Sequence, residues 1–280
     1  MPTFDGLRVL SLESRRSSEA ATLIRTFGGR PLAAPAMREV PLDSNHAACD
    51  FAAALERGEF DIVIFLTGVG VRALLDAVQP DYPRDRLASA LARTKTVVRG
   101  PKPLAALREL QVPVWVTAPE PNTWHEVVTA IDARAHERPL AGARIAVQEY
   151  GVSNPELLDA LRARGAAVTA IPVYRWELPE DLGPMRNAIR AIARGEVDVA
   201  IFTSGVQVAH LWTIAAQMRL EQDVRRQLER SVIASIGPTT SGELARTGIP
   251  RDVEASHSKI GILIREAAER SGDLLRAKRA

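Results

Sequence analysis

Phe60-Asp61-Ile62-Val63-Ile64-Phe65, followed by Thr67-Gly68-Val69, returns later in the chain as Val197-Asp198-Val199-Ala200-Ile201-Phe202, followed by Ser204-Gly205-Val206. The match extends in both directions. Arg8-Val9-Leu10-Ser11-Leu12 opens a strand, helix, strand pattern that ends at Gly28-Gly29, and Arg144-Ile145-Ala146-Val147 opens the same pattern, ending at Gly165. Gly100-Pro101, Leu107 and Val112-Pro113 recur as Gly237-Pro238, Leu244 and Ile249-Pro250. The offset stays constant to within one residue, and three blocks in one order identify an internal duplication.

Each copy alternates short β-branched apolar runs with longer segments of helical spacing, such as Glu19 to Phe27 and Pro155 to Arg164. That alternation predicts parallel strands with helical crossovers, and each copy reads as a small doubly wound α/β unit of about five strands. Two similar lobes are therefore expected rather than one continuous sheet. After the second strand of each copy the chain is punctuated by proline, at Pro31, Pro35 and Pro41 and again at Pro172 and Pro179. Proline there favours extended chain. If the chain crosses between lobes in these stretches, each lobe combines the start of one copy with the end of the other. Pattern alone leaves that exchange open.

The composition is that of a globular protein: 280 residues, 46% apolar, 25% charged, with a formal net charge of +2. Disordered and fibrous classes are excluded. Cys49 is the only cysteine, which rules out an internal disulfide and a cysteine-based zinc or iron–sulfur site. The five histidines, His46, His125, His136, His210 and His257, lack ligand spacing, so no metal is expected. The charge is too balanced for a dedicated nucleic-acid binder. No apolar run approaches the ~20 residues of a membrane span, and no export signal is recognisable, so a cytoplasmic protein with no membrane partner is expected.

In doubly wound sheets ligands bind beyond the carboxyl ends of the strands, where helix N-termini favour anions. Six such loops carry Gly and hydroxyl or basic residues: Ser14 to Ser18, Thr67 to Gly70, Arg99 to Lys102, Ser153 to Pro155, Thr203 to Gly205 and Gly237 to Ser241. None is a phosphate-binding Walker loop or a complete dinucleotide fingerprint, since Ala73 stands where the third glycine would be. An extended ligand with several anionic groups fits them better. Ser204 lacks the surroundings of a hydrolase nucleophile. The charged stretches Arg219 to Arg230 and Arg265 to Arg276 read as solvated helices, and Lys278 and Arg279 as a frayed end.

The blocks Val173-Tyr174-Arg175, Ile201-Phe202-Thr203-Ser204, Ala234-Ser235-Ile236-Gly237-Pro238-Thr239-Thr240 and Leu244-Ala245-Arg246-Thr247-Gly248 resemble those of the uroporphyrinogen-III synthase family. In the first copy Phe65-Leu66-Thr67 and Gly100-Pro101-Lys102-Pro103 extend the resemblance to nearly the whole chain. It implies two flavodoxin-like lobes with parallel five-stranded sheets flanked by helices and joined by a two-stranded linker, and with them the exchange that pattern leaves open. The implied boundaries are residues 1–36 with 176–280 for one lobe, 40–172 for the other, and linkers at 36–40 and 172–177.

The resemblance also implies a cofactor-free reaction on hydroxymethylbilane, a linear tetrapyrrole with eight carboxylates, closed to uroporphyrinogen III with inversion of the last ring and loss of water. A monomer, fed by hydroxymethylbilane synthase, is the implied arrangement. Tyr174 matches the family's linker tyrosine and is the candidate proton donor to the leaving hydroxyl, since a phenol of pKa about 10 is protonated at neutral pH. The alternative is that it packs against Trp176. Thr67, Gly68, Ser204, Gly205, Gly237, Thr239 and Thr240 are the implied substrate contacts, with Arg15, Arg99 and Lys102 adding charge. Members often carry Thr-Arg-Pro after the first strand, whereas this chain has Glu13-Ser14-Arg15-Arg16. A non-catalytic tetrapyrrole or polyanion sensor is the rival reading, and a two-lobed sugar- or amino-acid-binding protein a third.

Overall fold

The structure, a computed structural model, describes residues 2–42, 46–79, 81–151 and 153–280, apart from the side chains of Pro41 and Tyr150. In chain order it begins with β1 (Arg8–Ser11), α1 (Ser17–Thr26) and β2 (Arg30–Ala33), then crosses on β3 (Arg38–Pro41). Next come α2 (His46–Glu56), β4 (Ile62–Phe65), α3 (Gly68–Val78), α4 (Arg84–Leu91), β5 (Lys95–Val98), α5 (Pro101–Glu109), β6 (Val116–Thr117) and α6 (Trp124–Asp132). The second copy opens with β7 (Arg144–Gly151), α7 (Pro155–Arg162) and the long β8 (Ala167–Glu177). It closes with α8 (Gly183–Ala193), β9 (Val199–Phe202), α9 (Gly205–Gln217), α10 (Glu221–Glu229), β10 (Val232–Ser235), α11 (Pro238–Arg246), β11 (Val253–Glu254) and α12 (Ile260–Arg279).

Two compact units result. The first joins the chain up to Arg38 with Glu177–Ala280, and the second is Glu39–Trp176. The sheet of the first unit has the order β2-β1-β9-β10-β11, and that of the second β3-β8-β7-β4-β5-β6. With β3 set aside, both follow the flavodoxin-like strand order, and each unit takes its first two strands from one copy and its last three from the other. The second sheet thus has six strands rather than five. The extra one is the crossing strand β3, whose Arg38-Glu39-Val40-Pro41 has no apolar run to announce it. Arg38 ties the two crossings together: its guanidinium pairs with Glu177 and Glu180, each at 2.9 Å, and donates to the Leu178 carbonyl at 3.2 Å.

The middle strands explain why the sheets are covered on both sides. Val199 and Ile201 enter one apolar layer of the first unit and Ala200 and Phe202 the other. In the second unit Ile62 and Ile64 part from Val63 and Phe65 in the same way. All eight side chains are buried, as period-2 alternation between two helical layers requires. Helices supply the complementary stripes. In α8, Met185, Ala188, Ile189 and Ile192 recur at helical spacing and are buried.

Both units close the amino ends of their strands in one way. Asp198 Oδ2 accepts the Arg8 backbone N–H at 2.8 Å, and its repeat counterpart Asp61 accepts that of Arg144 at 2.9 Å. The C-terminal residues are held rather than frayed: Lys278 Nζ pairs with Asp252 at 2.6 Å and donates to the Ser231 carbonyl, and Arg279 pairs with Asp198 at 2.8 Å. Helix α12 buries Leu263, Ile264, Ala267, Ala268 and Leu275 along one face.

Candidate functional site

Four loops at the carboxyl ends of the middle strands lead into helices, in two repeat-related pairs. Thr67 caps α3, its Oγ1 accepting the Gly70 N–H at 2.9 Å, and Ser204 caps α9, accepting the Val206 N–H at 3.3 Å. A hydroxyl that accepts a backbone bond keeps its own proton to donate. Gly100 and Gly237 stand before α5 and α11, each followed by proline in the first turn, where its missing N–H costs nothing. None of these four helices has an acidic residue in its first turn. Their free N–H groups and positive dipole ends therefore keep their attraction for an anion.

The two remaining loops behave differently. Glu13 Oε1 accepts the backbone N–H of Arg16, the N-cap of α1, at 3.2 Å. Glu149, its repeat counterpart, accepts Ser153 Oγ–H at 2.6 Å and the N–H of Asn154, the N-cap of α7, at 3.3 Å. Each of these loops already holds a carboxylate of the chain itself, and α1 and α7 add Glu19 and Glu156 in their first turns. The Glu13 carboxylate serves a second loop as well, accepting Thr203 Oγ–H at 2.5 Å just before the cap of α9. Arg15 itself is exposed.

The other implied residues fall as follows. Gly68 is buried and lies so close to α5 that a Cβ on it would stand 2.7 Å from the Lys102 carbonyl oxygen. The loops of Thr67 and Lys102 therefore adjoin. Arg99 is half-buried and its backbone N–H bonds the Phe65 carbonyl at 3.0 Å, while the Lys102 side chain is exposed. Gly205 is half-buried against Glu243, and Gly237 is buried. Thr239 is exposed, but Thr240 is only 3% exposed, so these neighbours differ in what they present to solvent. A buried hydroxyl pair, Ser235 Oγ and Ser241 Oγ at 2.9 Å, supports the Gly237 turn, with Glu254 hydrogen-bonded to Ser241. Sequence reading missed this support, whose only trace is serine at both ends of Ser235 to Ser241.

Tyr174 lies on β8 where the register with β7 slips: Glu149 pairs with Pro172 but Gly151 with Arg175. One residue of β7 thus faces Val173 and Tyr174 together. Such a bulge re-aims a side chain, and here both neighbours enter the same apolar layer. Tyr174 is 5% exposed, with its ring edge-on to Trp176 at 5.5 Å between centroids. The packing role is thereby observed directly. Among the described residues no cluster of His, Cys, Asp and Glu is arranged to hold a metal ion.

Two doubly wound units of exchanged connectivity place the chain among two-lobed flavodoxin-like α/β proteins. The family model of uroporphyrinogen-III synthase HemD matches residues 18–265, and the chain belongs to that family. The crystal structure of a mutant uroporphyrinogen III synthase from the extremely thermophilic bacterium Thermus thermophilus superposes with a TM-score of 0.73 at 25% identity, covering 96% of this chain and 100% of that one. A Methanothermobacter thermautotrophicus protein named "Putative uroporphyrinogen-III synthase" is 31% identical over 84% of this chain and 87% of its own length. "Uncharacterized protein YjjA" of Bacillus subtilis is 28% identical over 94% of this chain and 96% of its own. No helix among the described residues is long and apolar enough to cross a membrane.

Proposed function

We propose that the protein is a uroporphyrinogen-III synthase that cyclises hydroxymethylbilane to uroporphyrinogen III in tetrapyrrole biosynthesis. The observation that carries this reading, beside family membership, is the repeat-related set of four helix N-termini without acidic first turns, at Thr67, Gly100, Ser204 and Gly237. A substrate with eight carboxylates supplies anions to such positions, and backbone N–H groups bind them without a buried cation. Lys102 and Arg99 would add charge beside the Thr67 turn.

The substrate brings its own nucleophile. Loss of its terminal hydroxyl, with a proton, as water leaves a cationic azafulvene. The substituted α-carbon of the ring at the other end of the chain attacks its exocyclic methylene to give a spiro intermediate. The bond from that carbon to its original methylene then breaks, leaving a second azafulvene cation. The free α-carbon of the same terminal ring attacks this cation and loses its proton, closing the macrocycle with that ring inverted. What the protein contributes is a proton for the departing hydroxyl and a bent, held substrate that cannot take the spontaneous non-inverting closure. Tyr174 is the proposed proton donor.

The test is turnover of hydroxymethylbilane, scoring isomer III against the spontaneous isomer I. Isomer III in excess supports the synthase; isomer I alone at the uncatalysed rate refutes it and favours a non-catalytic tetrapyrrole binder. Tyr174→Phe deletes only the hydroxyl and keeps the ring against Trp176, so it should slow isomer III formation by about tenfold or more without lowering the unfolding midpoint. Unchanged turnover would leave Tyr174 a packing residue.

A further inference from the structure

At one place the two copies differ by an exchange. Register pairs Phe65 with Gln148 in the second unit, and Ser11 with Ile201 in the first, so that Leu12 follows opposite Phe202. Gln148 therefore stands where Leu12 stands in the other unit. On the helices that follow the middle strands, Gly70 and Gln207 correspond, each three residues beyond the capping hydroxyl of Thr67 or Ser204. One unit has leucine on the strand and glutamine on the helix; the other has glutamine on the strand and glycine on the helix.

Geometry shows what is exchanged. Gln207 is fully buried: its Oε1 accepts the Thr203 backbone N–H at 2.7 Å and its Nε2 donates to Thr203 Oγ1 at 2.8 Å. Thr203 Oγ1 then donates to Glu13 at 2.5 Å, across the point where the strand order reverses between β1 and β9. Gln148 is 1% exposed and fills the volume that a side chain at Gly70 would need: a Cβ there would lie 2.1 Å from Nε2 and 2.4 Å from Oε1. Its Nε2 donates to the Glu149 carbonyl, and its Oε1 has no hydrogen-bond partner. A buried acceptor left unpaired is costly. Leu12 fills the same strand position in the other unit without that cost, so apolar packing alone does not account for Gln148.

We propose that Gln207 and Gln148 are positioning residues, one buried amide per unit, that fix the strand-end turns at 203–207 and 66–70 and so aim the N-terminal N–H groups of α9 and α3. The amide arrives from the helix in one unit and from the strand in the other. Gln207 closes its turn by bonding the residue before the cap. Gln148 sets how closely α3 approaches β7 and, through Gly68, how that turn meets the Lys102 carbonyl. That these turns receive substrate carboxylates rests on the synthase reading; that the amides order the turns does not.

The test uses the full-length protein with Gln207→Leu, Gln148→Leu, and the combined Leu66→Thr/Gly70→Gln/Gln148→Leu. The triple variant rebuilds in the second unit the Thr203, Gln207 and Leu12 arrangement of the first, with Glu149 already in the place of Glu13. Gln207→Leu, which loses both bonds to Thr203, and Gln148→Leu, which replaces the side chain packed on Gly70, should each raise KM for hydroxymethylbilane about tenfold, while kcat per folded molecule changes less than about threefold. Amide hydrogen exchange in the affected turn should quicken about tenfold or more. The triple variant should return KM and exchange toward wild type, whereas Gly70→Gln alone should unfold or clash. Unchanged KM with a lowered unfolding midpoint, or no rescue by the triple variant, would overturn the proposal. If wild type makes only isomer I, the synthase reading falls, and exchange alone decides the positioning claim: unaltered exchange in the single variants refutes it.

Discussion

Replacing Asp61 by alanine should destabilise the second unit by about 2–3 kcal/mol, because it removes a charged acceptor from a backbone N–H as well as two ion pairs. Asp61 Oδ2 accepts the Arg144 N–H at 2.9 Å, and the carboxylate meets the guanidinium groups of Arg144 at 3.3 Å and Arg138 at 2.9 Å. A hydrogen bond to a charged group contributes about 1.5–3 kcal/mol, and exposed pairs add between about 0 and 1 kcal/mol. The Asp61 side chain is 21% exposed, so the backbone bond dominates and the guanidinium pairs are partly screened. Asp61→Asn keeps an acceptor and should lose about half as much. Asp198→Ala should have a similar effect, of about 2 kcal/mol, on the first unit, since Asp198 accepts the Arg8 N–H at 2.8 Å.

The pH dependence follows from the same contacts. Burial pushes the Asp61 carboxyl up, but hydrogen bonds from the Arg144 side chain and backbone, with the charge of Arg138, outweigh it and hold its pKa below the usual value. A carboxyl with a lowered folded pKa stabilises above its unfolded pKa, about 3.9, and that stabilisation fades as pH falls through the folded value. Urea unfolding at pH 7 should therefore separate wild type from Asp61→Ala by about 2–3 kcal/mol, narrowing well below pH 4. A difference under about 0.5 kcal/mol at pH 7, or one undiminished at about pH 2, would refute the reasoning.

Two further outcomes are expected. Gly151 has φ +69°, and a Cβ there would lie 1.9 Å from Trp176 Cδ1, so Gly151→Ala should cost about 2 kcal/mol or more, part of it recovered by adding Trp176→Ala. Denaturant titration of the single and double variants reads this directly. Thr67→Ala and Ser204→Ala should each lose about 1 kcal/mol of stability, the usual value of an N-cap, seen as lower unfolding midpoints. If the turns hold carboxylates, both variants also raise KM for hydroxymethylbilane.

Much of the fold is legible in the sequence because the evidence is local and repeated. Ile62 to Phe65 and Val199 to Phe202 are continuous apolar runs, and runs of that length bounded by glycine turns have few alternatives to a buried parallel strand. Thr67 and Ser204 are marked through the family resemblance, and their capping of α3 and α9 is seen in the structure. What escaped was through-space. A linker strand was expected at 36–40, but not that this short polar strand, β3, joins the second sheet beside β8. Lys278 and Arg279 find Asp252 and Asp198 far back in the chain, so charge patterning at the terminus could not reveal their anchoring. The bulge that turns Tyr174 into an apolar layer depends on the register between two strands.

By itself the sequence determined that the protein is duplicated, that each copy alternates strand and helix, and that six strand-end loops carry glycine with hydroxyl or basic residues. Periodicity and composition suffice for this, since burying an apolar run and capping a helix each depend on neighbouring residues. Only the tertiary structure decided where the chain's own carboxylates meet those loops. Glu13 and Glu149 bond N–H groups in the turns before α1 and α7, and Glu13 reaches Thr203 as well. It also decided that one buried amide is supplied from opposite sides in the two units. Close packing makes Gly70 and Gln148 a single choice, because both claim the same few cubic ångströms.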